Sequence, residues 1–165
     1  MSGEASLLDA LSIAYPGVEP LRFAAPAGPG GQLDGVFALR VEAPMPHWLL
    51  VTRGLTELYG KETADPERSG FGFELTCRLP ARSPTYDFGW AINWLAALAD
   101  ALFQGTASYE PGSHQKLLDP GGPDELCGVA FIEDLALAPT RSDCGAYAFL
   151  QVVALTEGEL EAARR

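Results

Sequence analysis

Residues Ser69–Pro80 read SGFGFELTCRLP, and the reading of this stretch decides the fold. Phe71, Phe73, Leu75, Cys77 and Leu79 fall on one face of an extended chain, and Gly72, Glu74, Thr76 and Arg78 on the other, because successive side chains of a strand point to opposite faces. Pro80 closes the strand. Polar groups inside a covered sheet need partners, so the row Glu74-Thr76-Arg78 is either a satisfied structural network or a binding site. Glu74 and Arg78 lie about 13 Å apart along the strand, too far to pair with each other. Each needs a partner on a neighbouring element, and Glu57 is a candidate for Arg78.

The segments upstream supply neighbours for this strand. Gly35–Glu42 is apolar on both faces, and His47–Thr52 carries the continuous run Trp48-Leu49-Leu50-Val51. Such runs predict strands covered on both sides. Pro44 and Pro46 mark the turn between them, and Lys61–Ser69 forms a polar tip before the central strand. A short strand at Leu21–Phe23 precedes the loop AAPAGPGG, Ala24–Gly31. The first element is a helix: Ser6 caps it, Asp9 completes a box-like spacing, and Leu7, Leu8, Leu11 and Tyr15 form its stripe before Pro16-Gly17 stops it.

Downstream, a long apolar helix runs from about Pro84 to Phe103, started by Ser83 and stopped by Gly105. Trp90, Trp94, Ala97, Leu98, Ala101 and Leu102 line one broad face, widened by Ala91, Leu95 and Ala99, so it packs on a sheet over most of its circumference. Gln104–Glu125 reads as an irregular loop, and loops that long are functional or disordered. Strands follow at Leu126–Ile132 and Tyr147–Leu155, separated by a loop at Pro139–Ala146. A short helix starts near Thr156 with Glu159 as its box partner and runs to Arg165. This order predicts an α+β fold, a mixed, largely antiparallel central sheet with helices packed on its faces. The 165 residues are expected to form a single domain.

Composition narrows the function classes. The chain has 22 acidic against 11 basic residues, a net charge of −11. It lacks the basic balance that phosphate binding needs, so neither nucleic acid nor an anionic membrane surface is an expected partner. A basic protein is, since the field speeds such encounters. Cys77, Cys127 and Cys144 are odd in number and show no zinc-knuckle or redox spacing. The start, MSGEASLLDA, lacks the basic and apolar regions of a signal peptide. A reducing, cytoplasmic location is the expectation. The longest apolar stretch, near Trp90–Phe103, is too short to span a bilayer.

Catalytic patterns are missing from the sequence. It has no GxSxG elbow, P-loop, HExxH or GxGxxG after a strand, and no cofactor or metal is expected. His47 and His114 are its two imidazoles. His47 reads as structural or surface, at the start of a strand. Cys77 and Cys127 read as small buried residues. Cys144, in the loop RSDCGA, reads as more exposed, although Asp143 beside it disfavours a thiolate. A hydrolase would have to bring His114 together with Cys144 or Asp119, and the expectation is that the protein is not an enzyme.

The stretches HWLLVTRGLTELYG (His47–Gly60) and SGFGFELTCRLP (Ser69–Pro80) resemble the Suppressor of fused family. NWLAALADALFQG (Asn93–Gly105) is similar to the family's long helix, YEPGSH (Tyr109–His114) to its aromatic-x-x-Gly-Asp-His turn, and FLQVVALTEGEL (Phe149–Leu160) to its closing strand and helix. The resemblance runs from about residue 35 to the end and covers the N-terminal domain of the animal proteins. It implies a non-enzymatic, protein-binding role. Animal members restrain zinc-finger transcription factors of the Hedgehog pathway, holding a short peptide as an added strand between two domains. Bacterial single-domain relatives are proposed as immunity proteins that neutralise toxins.

Two departures bear on the ligand. Ser113 stands where the family's turn carries Asp, and Ala101 where an aromatic helps to hold the peptide. The expected partner is therefore another protein, with a basic toxin as the specific candidate, rather than that transcription-factor peptide. An adaptor that binds peptides by β-augmentation is the alternative. The expected binding residues are Tyr109, Gly112, Ser113 and His114 in the loop, and Glu57, Glu74 and Arg78 in the polar row. If the Tyr109 ring faces a partner, replacing it with Ala spares folding stability.

Overall fold

The computed structural model describes residues 1–26, 32–81, 88–117, 122–123 and 125–165. In chain order the elements are α1 (Gly3–Ala14), β1 (Leu21–Ala24), β2 (Gly35–Val41), β3 (His47–Arg53), β4 (Arg68–Pro80), α2 (Gly89–Phe103), β5 (His114–Lys116), β6 (Leu126–Glu133), β7 (Thr140–Ser142), β8 (Gly145–Thr156) and α3 (Glu157–Ala163). The strands form one sheet in the order β1-β2-β3-β4-β8-β6-β5, with β7 added to β8. Every pairing is antiparallel except β4 with β8. The fold is the expected α+β one, a mixed and largely antiparallel sheet carrying helices.

The alternation of Ser69–Pro80 is realised in β4. Leu75 and Cys77 join the core under α2, with Phe71, Phe73 and Leu79 packed at its margin. A bulge interrupts the β4–β8 register between Arg68 and Phe73. It depends on glycine: Gly70 has φ +52°, and a Cβ there would stand 2.3 Å from the Leu55 carbonyl oxygen.

β2 and β3 are buried on both faces, as their apolar runs require. Val36, Ala38 and Leu50 face the α2 core, where Leu95, Leu98, Ala99 and Phe131 meet them. Phe37, Leu39, Leu49 and Val51 face the second core with Leu7 and Leu11 of α1. Burial on this scale contributes about 1.5–3 kcal/mol for each large apolar side chain.

Several expectations need correcting. Ser2, not Ser6, caps α1 by accepting from the Ala5 N–H. Ser6 is buried within the helix, 3.0 Å from the Tyr147 hydroxyl and donating to the Arg141 carbonyl. α2 begins at Gly89 after Phe88, which lends no side-chain cap; Ser83 and Pro84 lie outside the described residues. Its solvent stripe passes through Asn93 and Ala97, so Ala97 leaves the predicted buried face, while Ala91, Trp94, Leu95, Leu98, Ala99 and Leu102 keep it. Gln104–Glu125 is not wholly irregular, since it contains β5, and Pro139–Ala146 contains β7. The Thr156–Glu159 capping box forms as expected, and α3 ends at Ala163.

Candidate functional site

The turn that leads into β5 is braced by hydrogen bonds and packing. Gly105, at φ +71°, ends α2 in the left-handed region that glycine adopts without penalty. The chain then brings Tyr109 back under the helix. Its hydroxyl donates to the Leu98 carbonyl at 3.0 Å, and its ring stacks on Phe131 at 4.3 Å. The side chain is only 7% exposed, and burial pushes its phenol up to about 12. Tyr109 is thus a core residue, and the expectation that its loss spares stability is corrected.

Beyond it the turn is closed by backbone bonds. Gly112, at φ +95°, donates its N–H to the Phe131 carbonyl at 2.8 Å. Ser113 Oγ accepts from the Glu110 N–H at 3.0 Å, and Phe131 N–H donates to the Ser113 carbonyl at 2.9 Å. His114 then opens β5, half-buried and opposite Ala130.

β5 is the last strand of the sheet on this side. The Phe131 N–H to Ser113 bond fixes which groups point where. Backbone groups in an antiparallel pair alternate between facing the partner and facing away. Ser113, Gln115 and Leu117 face β6, and Leu117 N–H does donate to the Cys127 carbonyl. His114 and Lys116 therefore turn their N–H and C=O groups outward. The Lys116 ammonium lies 3.4 Å from Glu157 at the start of α3.

The polar row forms a different arrangement on the other face of the sheet from α2. Glu74 is completely buried. Its carboxylate accepts from the hydroxyls of Thr52 and Thr56 and from the N–H groups of Gly54, Leu55 and Thr56. Burial raises its carboxyl, and the Thr52 hydroxyl, the Thr56 N–H and hydroxyl and the Gly54 N–H oppose that rise. The side chain fastens the chain leaving β3 onto β4.

Glu57 does not reach Arg78, which corrects that expectation. It accepts from Lys61 Nζ at 2.9 Å and from the N–H groups of Glu62, Thr63 and Gly70. Burial alone would raise its carboxyl, but Lys61 and these N–H groups outweigh burial and hold it at about 2. The partner of Arg78 is Asp134, just after β6: Nη1 meets Oδ2 at 2.6 Å and Nη2 meets Oδ1 at 3.0 Å. Tyr15 and Gln151 accept from the same guanidinium, and Thr76 donates to Asp134 at 2.6 Å. The row is a satisfied network that ties β4 to β8, α1 and the segment after β6. The expected site residues thus form two separate groups, the turn with β5 and the buried row.

His114 and Cys144 are not brought together. His114 lies opposite Ala130, which lies opposite Val153 of β8, whereas Cys144 precedes Gly145 at the far end of β8. Gly145 and Val153 are eight residues apart, roughly 26 Å along a strand. Cys144 is also buried, and Cys127 half-exposed rather than buried, both contrary to expectation. Cys77 is buried, and desolvation pushes its thiol up to about 12. Asp119 lies outside the described residues. Among the described residues no group of three or more His, Cys, Asp or Glu side chains stands ready for a metal, and no helix is long and apolar enough to cross a membrane.

A sheet of this order, flanked by these helices, is shared with proteins already known. The Suppressor of fused protein (SUFU) family model matches residues 32–165, and the chain belongs to that family. The Suppressor of fused homologues of Mus musculus and Homo sapiens are each 30% identical over 131 residues, covering 72% of this chain and 26% of theirs. The chain thus spans about a quarter of the length of these relatives. The crystal structure of the Sufu–Fu complex contains a chain that superposes with a TM-score of 0.83 at 26% identity, over 99% of this chain and 80% of that one. Drosophila Suppressor of Fused gives a TM-score of 0.82 at 24% identity, over 98% of this chain and 44% of that one. A homologue from Neisseria gonorrhoeae FA 1090 gives 0.66 at 15% identity, over 98% and 82%. The last two show a shared fold.

Proposed function

We propose that residues 1–165 act as one Suppressor of fused-like domain and serve as a non-enzymatic, cytoplasmic protein-binding module. The carrying observation is the edge of β5. His114 and Lys116 turn outward backbone groups that are unpaired among the described residues, beside a turn braced by the hydrogen bonds of Tyr109, Gly112 and Ser113. Such an edge accepts an extended segment of another protein as an added strand. That one neighbour was crystallised as a Sufu–Fu complex supports a protein ligand for this fold. Glu57, Glu74 and Arg78 support the site by holding the sheet rather than by touching the partner.

The charge of −11 favours a narrower reading, an inhibitor that neutralises a basic toxin. Two experiments separate the levels. The tagged full chain, used as bait in a lysate of its source organism, should capture a protein that the Lys116→Pro variant captures at least about tenfold less. Equal capture by the two would reject the β5 edge. Co-expression with the product of the neighbouring gene should relieve its toxicity; a harmless, non-binding neighbour would remove the toxin reading and leave the binding module standing.

A further inference from the structure

The sheet contains a second place where backbone groups go unmatched among the described residues, two strands in from the β5 edge. The parallel pairing of β4 with β8 ends at Cys77 opposite Val152. Both strands nevertheless continue, β4 to Pro80 along β3 and β8 to Thr156 along β6. The sheet therefore splits at its centre.

Part of the cause lies in the sequence. Ala81 N–H donates to the Pro46 carbonyl, so Leu79 and Cys77 also face β3, while Arg78 and Pro80 face β8. Asp134 N–H donates to the Phe149 carbonyl, so Gln151, Val153 and Leu155 face β6, while Val152 and Ala154 face β4. The next pair, Arg78 opposite Val153, would join the Ala154 N–H to the Arg78 carbonyl and is not formed; the pair after it, Leu79 opposite Ala154, would need an N–H from residue 80. That residue is proline, which has none. The Arg78 carbonyl and both backbone groups of Ala154 are left facing the gap.

The gap opens into a cavity of about 430 Å³ whose lining includes Trp48, Leu79, Phe88, Trp90, Leu126 and Val152. Arg78, Glu125 and Gln151 line it as well, so aromatic and aliphatic side chains share the wall with convergent polar groups, as they do in ligand sites. Its charge is one-sided. Arg78 is held by both oxygens of Asp134. Glu125, also in the lining, is exposed and has no ion-pair partner among the described residues.

We propose that this cleft receives an extended apolar segment of a partner protein that carries a Lys or Arg at its edge. The segment's amide groups pair with the Arg78 carbonyl and Ala154, its apolar side chains fill the wall of Trp48, Phe88 and Trp90, and its cation meets Glu125. The site is distinct from the β5 edge and does not depend on it.

The test follows backbone amide resonances of the isotope-labelled full chain during titration with two capped tetrapeptides, Val-Ile-Val-Lys and Val-Ile-Val-Glu. The Lys peptide should saturably shift Arg78, Leu79 and Val152–Leu155 and bind about tenfold tighter than the Glu peptide. Glu125→Lys, an exposed change that leaves the core intact, should invert that preference. Ala154→Trp should fill the cleft and abolish binding, whereas Lys116→Pro should leave it unchanged. Equal affinities for the two peptides, no inversion with Glu125→Lys, or shifts confined to His114–Lys116 would each overturn the proposal. The last outcome would leave the β5 reading intact.

Discussion

Tyr109 joins the turn before β5 to the core through one hydrogen bond and one stacked ring. The two contributions can be separated. Tyr109→Phe removes the hydroxyl and should cost about 1 kcal/mol of unfolding free energy. Tyr109→Ala leaves a cavity beside Phe131 and should cost about 3–5 kcal/mol. Urea denaturation of both variants measures the difference, and near-equal costs would mean that the ring does not pack as described. Asp134 shows the other extreme of residue-scale stability. Asp134→Ala strands Arg78, Thr76 and the Ala136 N–H together, and should cost about 3–5 kcal/mol. Arg78→Leu combined with Asp134→Ala should cost less than the sum of the single changes, because the second change removes the stranded charge.

Glu57 carries a pH signature. Its carboxyl is held at about 2 in the folded protein against 4.5 unfolded. Its contribution is therefore complete above about pH 4.5 and is lost as pH falls toward 2. Glu74, raised by burial, acts in the opposite sense: its contribution is greatest in acid and declines as pH rises through its folded-state value. Measuring unfolding free energy from pH 5 to pH 2 for wild type and Glu57→Gln should show a shallower decline in the variant. Parallel curves would contradict the assignment.

At the level of elements, α3 offers a clean test of capping. Thr156 accepts from the Glu159 N–H, and Glu159 accepts from the Thr156 N–H. Thr156→Ala should destabilise the protein by about 1 kcal/mol and release helical amides of α3 to faster hydrogen exchange. This element was legible in the sequence because a capping box is local. β4 was legible for the same reason, with a period-two pattern long enough to reveal both faces before Pro80 ended it. The start of α1 was not, because Ser6 and Asp9 imitate a box one turn inside the true cap at Ser2. β5 has three residues, too few to show any period. The polar row could be found but not paired: Asp134 stands 56 residues from Arg78, and no local pattern joins an acid after one strand to an arginine in another.

Across the whole molecule, the sheet order is what creates the two proposed binding surfaces. Placing β5 last exposes its outer edge, and placing β8 beside β4 in parallel creates the central split at Pro80. Both follow from strand order, which periodicity alone does not reveal, so the sequence pointed to the turn around Tyr109–His114 without showing the edge beside it. The order of elements supplied the fold class, and the resemblance pointed to the turn. The overall charge of −11 would bias both proposed surfaces toward basic partners.

The central claim is that a partner adds a strand to β5. Amide hydrogen–deuterium exchange, compared between the free chain and the complex captured with it, tests this most directly. The account predicts new protection at the His114 and Lys116 amides, which face outward in the free protein. Protection that appears elsewhere while these two amides exchange as fast as before would contradict it.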